Sequence, residues 1–208
     1  MPPQFLVQPP AIDRTICEYL CAEKIKSFAI SETQKFGHVT YFWNGNRSGY
    51  IDEDLELYVE IPSDRVEFDK APKMKAFEIK DKTIEILKSD QYAFGRLNFA
   101  NGDMVGHTGD FEAAKLAVSA VDEQLGKILA KAKENDYAFV LTSDHGNCEE
   151  MKDADGNVLT NHTVGKVWCF VEANGVTKVE AGGLNNIAPT VLKLMDIEIP
   201  SEMDNSLI

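Results

Sequence analysis

Three stretches of this sequence gather side chains that can bind a metal ion. The first is Asn98-Phe-Ala-Asn-Gly-Asp-Met-Val-Gly-His-Thr-Gly109, which supplies Asp103 and His107. The second is Thr142-Ser-Asp-His-Gly-Asn147, with Asp144 and His145 side by side. The third, Asn161-His-Thr163, carries His162. Three of the four histidines therefore stand beside carboxylates or hydroxyls in polar turns. Neutral imidazole together with carboxylate suits Mn²⁺, Zn²⁺ or Fe²⁺ better than Ca²⁺ or Mg²⁺. Gly102, Gly106, Gly109 and Gly146 let the backbone turn tightly and come close to a ligand. A lone Asp–His pair in a turn is most often a cap beside a surface imidazole. Three such turns in one chain favour a metal site instead. Successive side chains on an extended backbone diverge, so Asp144 and His145 need not act as a local chelate.

Turns of this kind must be aimed by regular elements. Residues 94–100 read as a strand leading into the first turn. Residues 111–133 form the clearest helix, with Phe111, Ala114, Val118, Val121, Leu125, Ile128 and Ala132 recurring every three or four positions and Asp110 as N-cap. Residues 137–142 read as a strand leading into the second turn, and residues 167–171 as a strand following the third. Asn185 or Asn186 caps a last helix through Leu194.

The first half reads as a strand at residues 5–7 stopped by Pro9-Pro10, a helix at 13–22 and a strand at 26–30. A helix capped by Ser31 or Thr33 then runs to 39–43. Residues 52–72 are charged and irregular, a surface excursion, and residues 79–87 suit a helix. The alternation predicts an α/β layered fold with a largely parallel sheet. In such folds ligands sit beyond the carboxyl ends of strands, where the first two polar turns fall.

Composition narrows the function classes. The chain has 208 residues, 44% of them hydrophobic, and carries 21 Lys plus Arg against 34 Asp plus Glu, a net charge of −13. These are globular proportions. The acidic balance argues against nucleic-acid and anionic-membrane partners while leaving room for a small anionic substrate. No apolar run approaches the roughly 20 residues of a membrane span, and residues 1–8 lack the pattern of a signal peptide. Cys17 and Cys21 are four apart, which stacks them on one helix face; with Cys148 and Cys169 they read as thiols in a reducing cytoplasm.

The two metal-ligand turns, Asn98 to Gly109 and Ser143-Asp-His-Gly-Asn147, resemble those of the cofactor-independent phosphoglycerate mutases of the alkaline phosphatase superfamily. Further matches are Phe5-Leu-Val-x-Pro-Pro, Ser31-Glu-Thr-Gln-Lys-Phe-Gly-His-Val-Thr40 and Trp43-Asn-Gly-Asn-Arg-Ser-Gly-Tyr50, followed by Ile187-Ala-Pro-Thr-Val-Leu and the tail from Pro200. The likeness runs nearly end to end in family order. Gly102 departs from it, standing where the family usually has proline.

The resemblance implies an alkaline-phosphatase-like layered sheet with flanking helices. It also implies that this sheet is incomplete here. Family chains are more than twice this length, and residues 1–208 correspond to the C-terminal portion of the metal-binding phosphatase domain. The first strand with its aspartate ligand, the serine nucleophile and the arginine-rich transferase domain have no counterpart. Met1 then reads as a split-gene or misassigned start.

By the same resemblance, Asp103, His107 and His162 are the protein ligands of one Mn²⁺, and Asp144 and His145 are half the set of a second; Co²⁺ or Mg²⁺ are alternatives. Lys35, which read by itself is a solvated lysine, matches the lysine beside the nucleophile and phosphoryl group, with His38 as a structural neighbour. The implied reaction interconverts 3-phosphoglycerate and 2-phosphoglycerate through a phosphoserine in the cytoplasm. The implied partners are the substrate and the missing N-terminal part, without which the chain is expected to be inactive. The rival readings are another alkaline-phosphatase-like phosphohydrolase or phosphopentomutase, and a non-catalytic metal-binding remnant.

Overall fold

A computed structural model describes residues 12–208; the strand expected at residues 5–7 lies outside them. The chain divides into two compact units. The first runs to Pro62 and takes in Gln91–Asn98, and the second comprises Ser63–Asp90 and Phe99–Ile208.

The first unit is built on a parallel sheet. Its central strand, β1 (Ser27–Glu32), is buried along its whole length, as expected for a strand covered on both faces. It lies between β2 (Glu56–Ile61) and β3 (Phe94–Leu97), parallel to both, with Ser27 in register with Glu56 and Phe94. Phe28 sits opposite Gly95, where an added Cβ would fall 2.2 Å from its ring, so only glycine admits the ring there. Helix α1 (Ile16–Ala22) buries Ile16, Cys17, Leu20 and Cys21 on one face, and Glu18 accepts the Thr15 N–H at 2.8 Å to close its first turn.

Two expectations need correction here. Residues 52–72 are not wholly irregular, because β2 lies within them. Glu56 disguises it: this carboxylate is buried, accepting from the Ile51 N–H (2.6 Å) and the Tyr58 hydroxyl (2.9 Å) and lying 3.5 Å from the buried Arg96 guanidinium. The helix expected to reach 39–43 ends sooner. A 3₁₀ turn, Thr33–Lys35, leads into the short α2 (Phe36–Val39), and Thr40 leaves helical geometry while its hydroxyl bonds back to the Phe36 carbonyl at 2.8 Å.

The second unit contains α3 (Ala76–Lys88), α4 (Asn101–Gly106), α5 (Phe111–Glu134) and α6 (Ile187–Leu194), with β4 (Phe139–Thr142) and β5 (Cys169–Glu172) forming an antiparallel pair. Asp110 caps α5 as expected, accepting the Ala113 N–H at 2.9 Å. The buried face of α5 is rotated from the expected stripe. It consists of Ala113, Ala114, Ala117, Ala120, Gln124, Ile128 and Ala132, whereas Phe111 and Val118 are exposed. Small alanines let α5 pack closely on α3 and α4, and that close approach decides the face over the larger side chains.

Candidate metal centre

The glycine-rich stretch after β3 is a helix rather than a turn. In α4, Asp103 lies in the first turn and His107 is the C-cap. Their four-residue spacing puts both side chains on one face. The helix is anchored by Asn101, fully buried, whose Nδ2 donates to the Pro72 carbonyl at 2.9 Å. Gly109 follows at φ +73°, a left-handed conformation that favours glycine and frees the chain to turn into α5.

His162 joins Asp103 and His107 from a distant loop. The Nε2 atoms of His107 and His162 each stand 3.0 Å from Asp103 Oδ1, and 3.1 Å from one another. Donors about 2.1 Å from one divalent ion and at right angles to each other stand about 3.0 Å apart. The three side chains therefore fit one ion on one face. Asp103 is the most enclosed, its side chain 13% exposed, while both imidazoles reach solvent. His107 Nδ1 lies 2.6 Å from the Thr160 carbonyl. That contact makes Nδ1 the protonated nitrogen and leaves the Nε2 lone pair facing Asp103 and His162.

The second pair borders this trio. The His145 ring stacks on His162 with centroids 3.7 Å apart, and its Nε2 lies 3.9 Å from Asp103 Oδ1 and 3.6 Å from Asp144 Oδ2. Asp144 and His145 thus turn toward one another despite their adjacency. Asp144 remains half exposed and outside the trio whose donor atoms all lie within 4.8 Å of one another. Lys35 belongs to the first unit, where it is buried at the end of the turn after β1. His38 packs edge-on against Phe42 at 5.2 Å.

Sequence reading passed over three residues that touch this site. Asn147, buried, donates from Nδ2 to Asp103 Oδ1 at 3.0 Å. Glu149 accepts the Asn147 N–H at 2.7 Å and the Thr163 hydroxyl, and the Thr163 bond chiefly holds its carboxyl below the usual range. Thr163 in turn is bridged to Gly146, donating its N–H to the Gly146 carbonyl at 3.0 Å. The available signal was position: Asn147 stands two residues from His145 and Thr163 one from His162, while Glu149, four residues from His145, had none. Cys148 is near the site, but its thiol donates to the Gly102 carbonyl at 2.8 Å and burial pushes its pKa up, so it is held as a neutral thiol.

Comparison with known proteins agrees with this geometry. The family model described as "Metalloenzyme superfamily" matches residues 5–199. The chain is 56% identical over 197 residues to the 2,3-bisphosphoglycerate-independent phosphoglycerate mutase of Sulfurimonas denitrificans, covering 93% of this chain and 39% of that protein. It is 44% identical to the enzyme of the same name from Trypanosoma brucei brucei, covering all of this chain and 41% of that one. The crystal structure of Leishmania mexicana phosphoglycerate mutase at low cobalt concentration superposes with a TM-score of 0.91 at 44% identity, over 99% of this chain and 41% of its own. The chain spans about two-fifths of the length of these relatives. Three donors converging on one point, a parallel α/β sheet and this end-to-end likeness agree: the chain belongs to the metalloenzyme superfamily and corresponds to part of a 2,3-bisphosphoglycerate-independent phosphoglycerate mutase.

Proposed function

We propose that residues 1–208 are the C-terminal portion of a phosphatase domain that works in the interconversion of 3-phosphoglycerate and 2-phosphoglycerate. Asp103, His107 and His162 hold one Mn²⁺; Asp144 and His145 contribute to a second, whose remaining ligands lie in the part of the enzyme that the relatives carry beyond this match. Co²⁺ is an alternative occupant, since a relative was crystallised with cobalt. When bound, such ions lower the pKa of a coordinated hydroxyl and offset charge on a transferring phosphoryl group.

The roles of this chain's own residues follow from their chemistry. Asp103 supplies a negative charge to a cation otherwise faced by neutral rings. The Thr160 carbonyl keeps the His107 lone pair on Nε2. Lys35 supplies a point charge to phosphoryl oxygens. A serine nucleophile and a grip on the glycerate come from the remainder of the enzyme, which acts as partner in cis or in trans.

The observation that carries this reading is the approach of both Nε2 atoms to within 3.0 Å of Asp103 Oδ1. Calorimetric titration with Mn²⁺ tests it. One strong site is expected for the isolated chain, because the second pair lacks two oxygen ligands, and His107→Ala removes that site. Two tight, equal sites, or none, would count against the reading.

A further inference from the structure

The trio is assembled from α4 and a distant loop, with His145 on a third segment, and no regular strand or helix joins them. Residues 143–168 contain only two isolated bridges, Gly146 to Thr163 and Lys152 to Val158. Beside the Thr163–Gly146 backbone bond and the His107–Thr160 contact, a line of polar side-chain contacts ties the ligand-bearing segments together. Asn147, 6% exposed, places Nδ2 3.0 Å from Asp103 Oδ1 and 3.2 Å from the Asp103 carbonyl. Glu149 then spans the two loops, accepting the Asn147 N–H through Oε2 and the Thr163 hydroxyl through Oε1. Thr163 follows His162 directly.

Two glycines make room for this line. A Cβ on Gly106 would come 2.3 Å from Asn147 Oδ1. One on Gly146 would come 2.0 Å from Glu149 Oε1 and 2.3 Å from Thr163 Oγ1. A surface tangle of polar side chains does not require space to be cleared on both sides of it.

We propose that Asn147, Glu149 and Thr163 are positioning residues that set the Asp103–His107–His162 donors in place before an ion arrives. This rests on the reading of the trio as a metal site. Asn147 donates to Asp103 Oδ1, the same oxygen that the two imidazoles approach, and so holds that oxygen's orientation toward them. Glu149 and Thr163 fix the height of the His162 loop over α4 by joining it to the segment that carries Asn147. Removing a side chain that orients a metal ligand typically lowers affinity about 10–100-fold.

The test uses the 208-residue chain with Mn²⁺ followed by calorimetry, and with Co²⁺ followed by visible absorption. Wild type and His107→Ala first establish whether the trio binds. Given binding, Asn147→Ala and Thr163→Val should each weaken it about 10–100-fold and change the Co²⁺ spectrum. Thr163→Ser, which keeps the hydroxyl, should bind like wild type, and Glu149→Gln should fall between. Far-ultraviolet circular dichroism matched to wild type identifies the variants that fold. If folded Asn147→Ala and Thr163→Val bind with wild-type affinity and spectrum, the brace is overturned while the metal site stands. Equal losses in Thr163→Ser and Thr163→Val also overturn it. A wild-type chain that binds neither ion overturns the metal reading and the brace with it.

Discussion

At the scale of single residues, the sequence singles out candidate donors, Asp103, His107 and His162, which the fold brings together, but not the polar residues packed around them. These three could be picked out because three polar stretches of one chain carry imidazole beside carboxylate or hydroxyl, where a single such pair would read as a cap. Asn147, Glu149 and Thr163 are common polar residues whose role depends on contacts across as many as 44 positions, which no local pattern reveals. The cysteines were legible in a different way. The four-residue spacing of Cys17 and Cys21 predicts a shared helix face, and both thiols are buried there, with burial pushing each pKa from 9.0 up to about 11. The thiolate is the reactive form, so iodoacetamide at pH 8 should leave both unmodified in the native chain and label both in denaturant, as peptide mass spectrometry can read. The native values are raised, so the stabilisation from keeping these thiols neutral is complete below pH 9 and is lost as pH rises through about 11. Thermal melting between pH 8 and 11 should fall less steeply in Cys17→Ala/Cys21→Ala than in wild type.

At the scale of elements, the strongly periodic segments were recognisable and the exceptions have physical causes. The position of α5 follows from its pattern, but its buried face does not, because alanine packs by closeness rather than by apolar bulk. β2 was missed because a buried glutamate serves Arg96 from inside a strand. α4 was missed because a six-residue helix beginning Asn-Gly-Asp looks like a turn. One glycine in α5 has no such excuse. Gly126 lies on the exposed side of this 24-residue helix, and a Cβ added there meets no atom within 4 Å. Glycine inside a helix is worse than alanine by about 0.5–1 kcal/mol. Gly126→Ala should therefore stabilise the second unit by about that amount, raising the midpoint of denaturant unfolding with an unchanged slope.

At the scale of the whole molecule, the chain carries surface that suits a partner. β4 and β5 pair only with one another among the described strands. Trp168 on this segment is 79% exposed, and Phe170 and Val164 are exposed as well. Open strand edges beside exposed apolar side chains invite pairing with another segment. Under the proposed function that segment belongs to the remainder of the enzyme, which supplies the serine nucleophile. Loss of a catalytic nucleophile removed about 10⁶-fold of rate in one hydrolase. Mutase activity on 3-phosphoglycerate should accordingly be undetectable for the purified 208-residue chain and should appear when a polypeptide spanning the rest of a relative is added. Robust turnover by the chain alone would refute the division of labour.

The placement of the two tryptophans gives each unit its own optical label. Trp43, half-buried, lies 5.5 Å from the Arg96 guanidinium and beside Phe94, while Trp168 stands in solvent. Iodide should quench the second more strongly than the half-buried first. The blue edge of the emission band should then report melting of the parallel sheet, and the red edge any covering of the β4–β5 segment. One cuvette can follow folding and capture as separate colours, and Trp168→Phe leaves the sheet's signal alone.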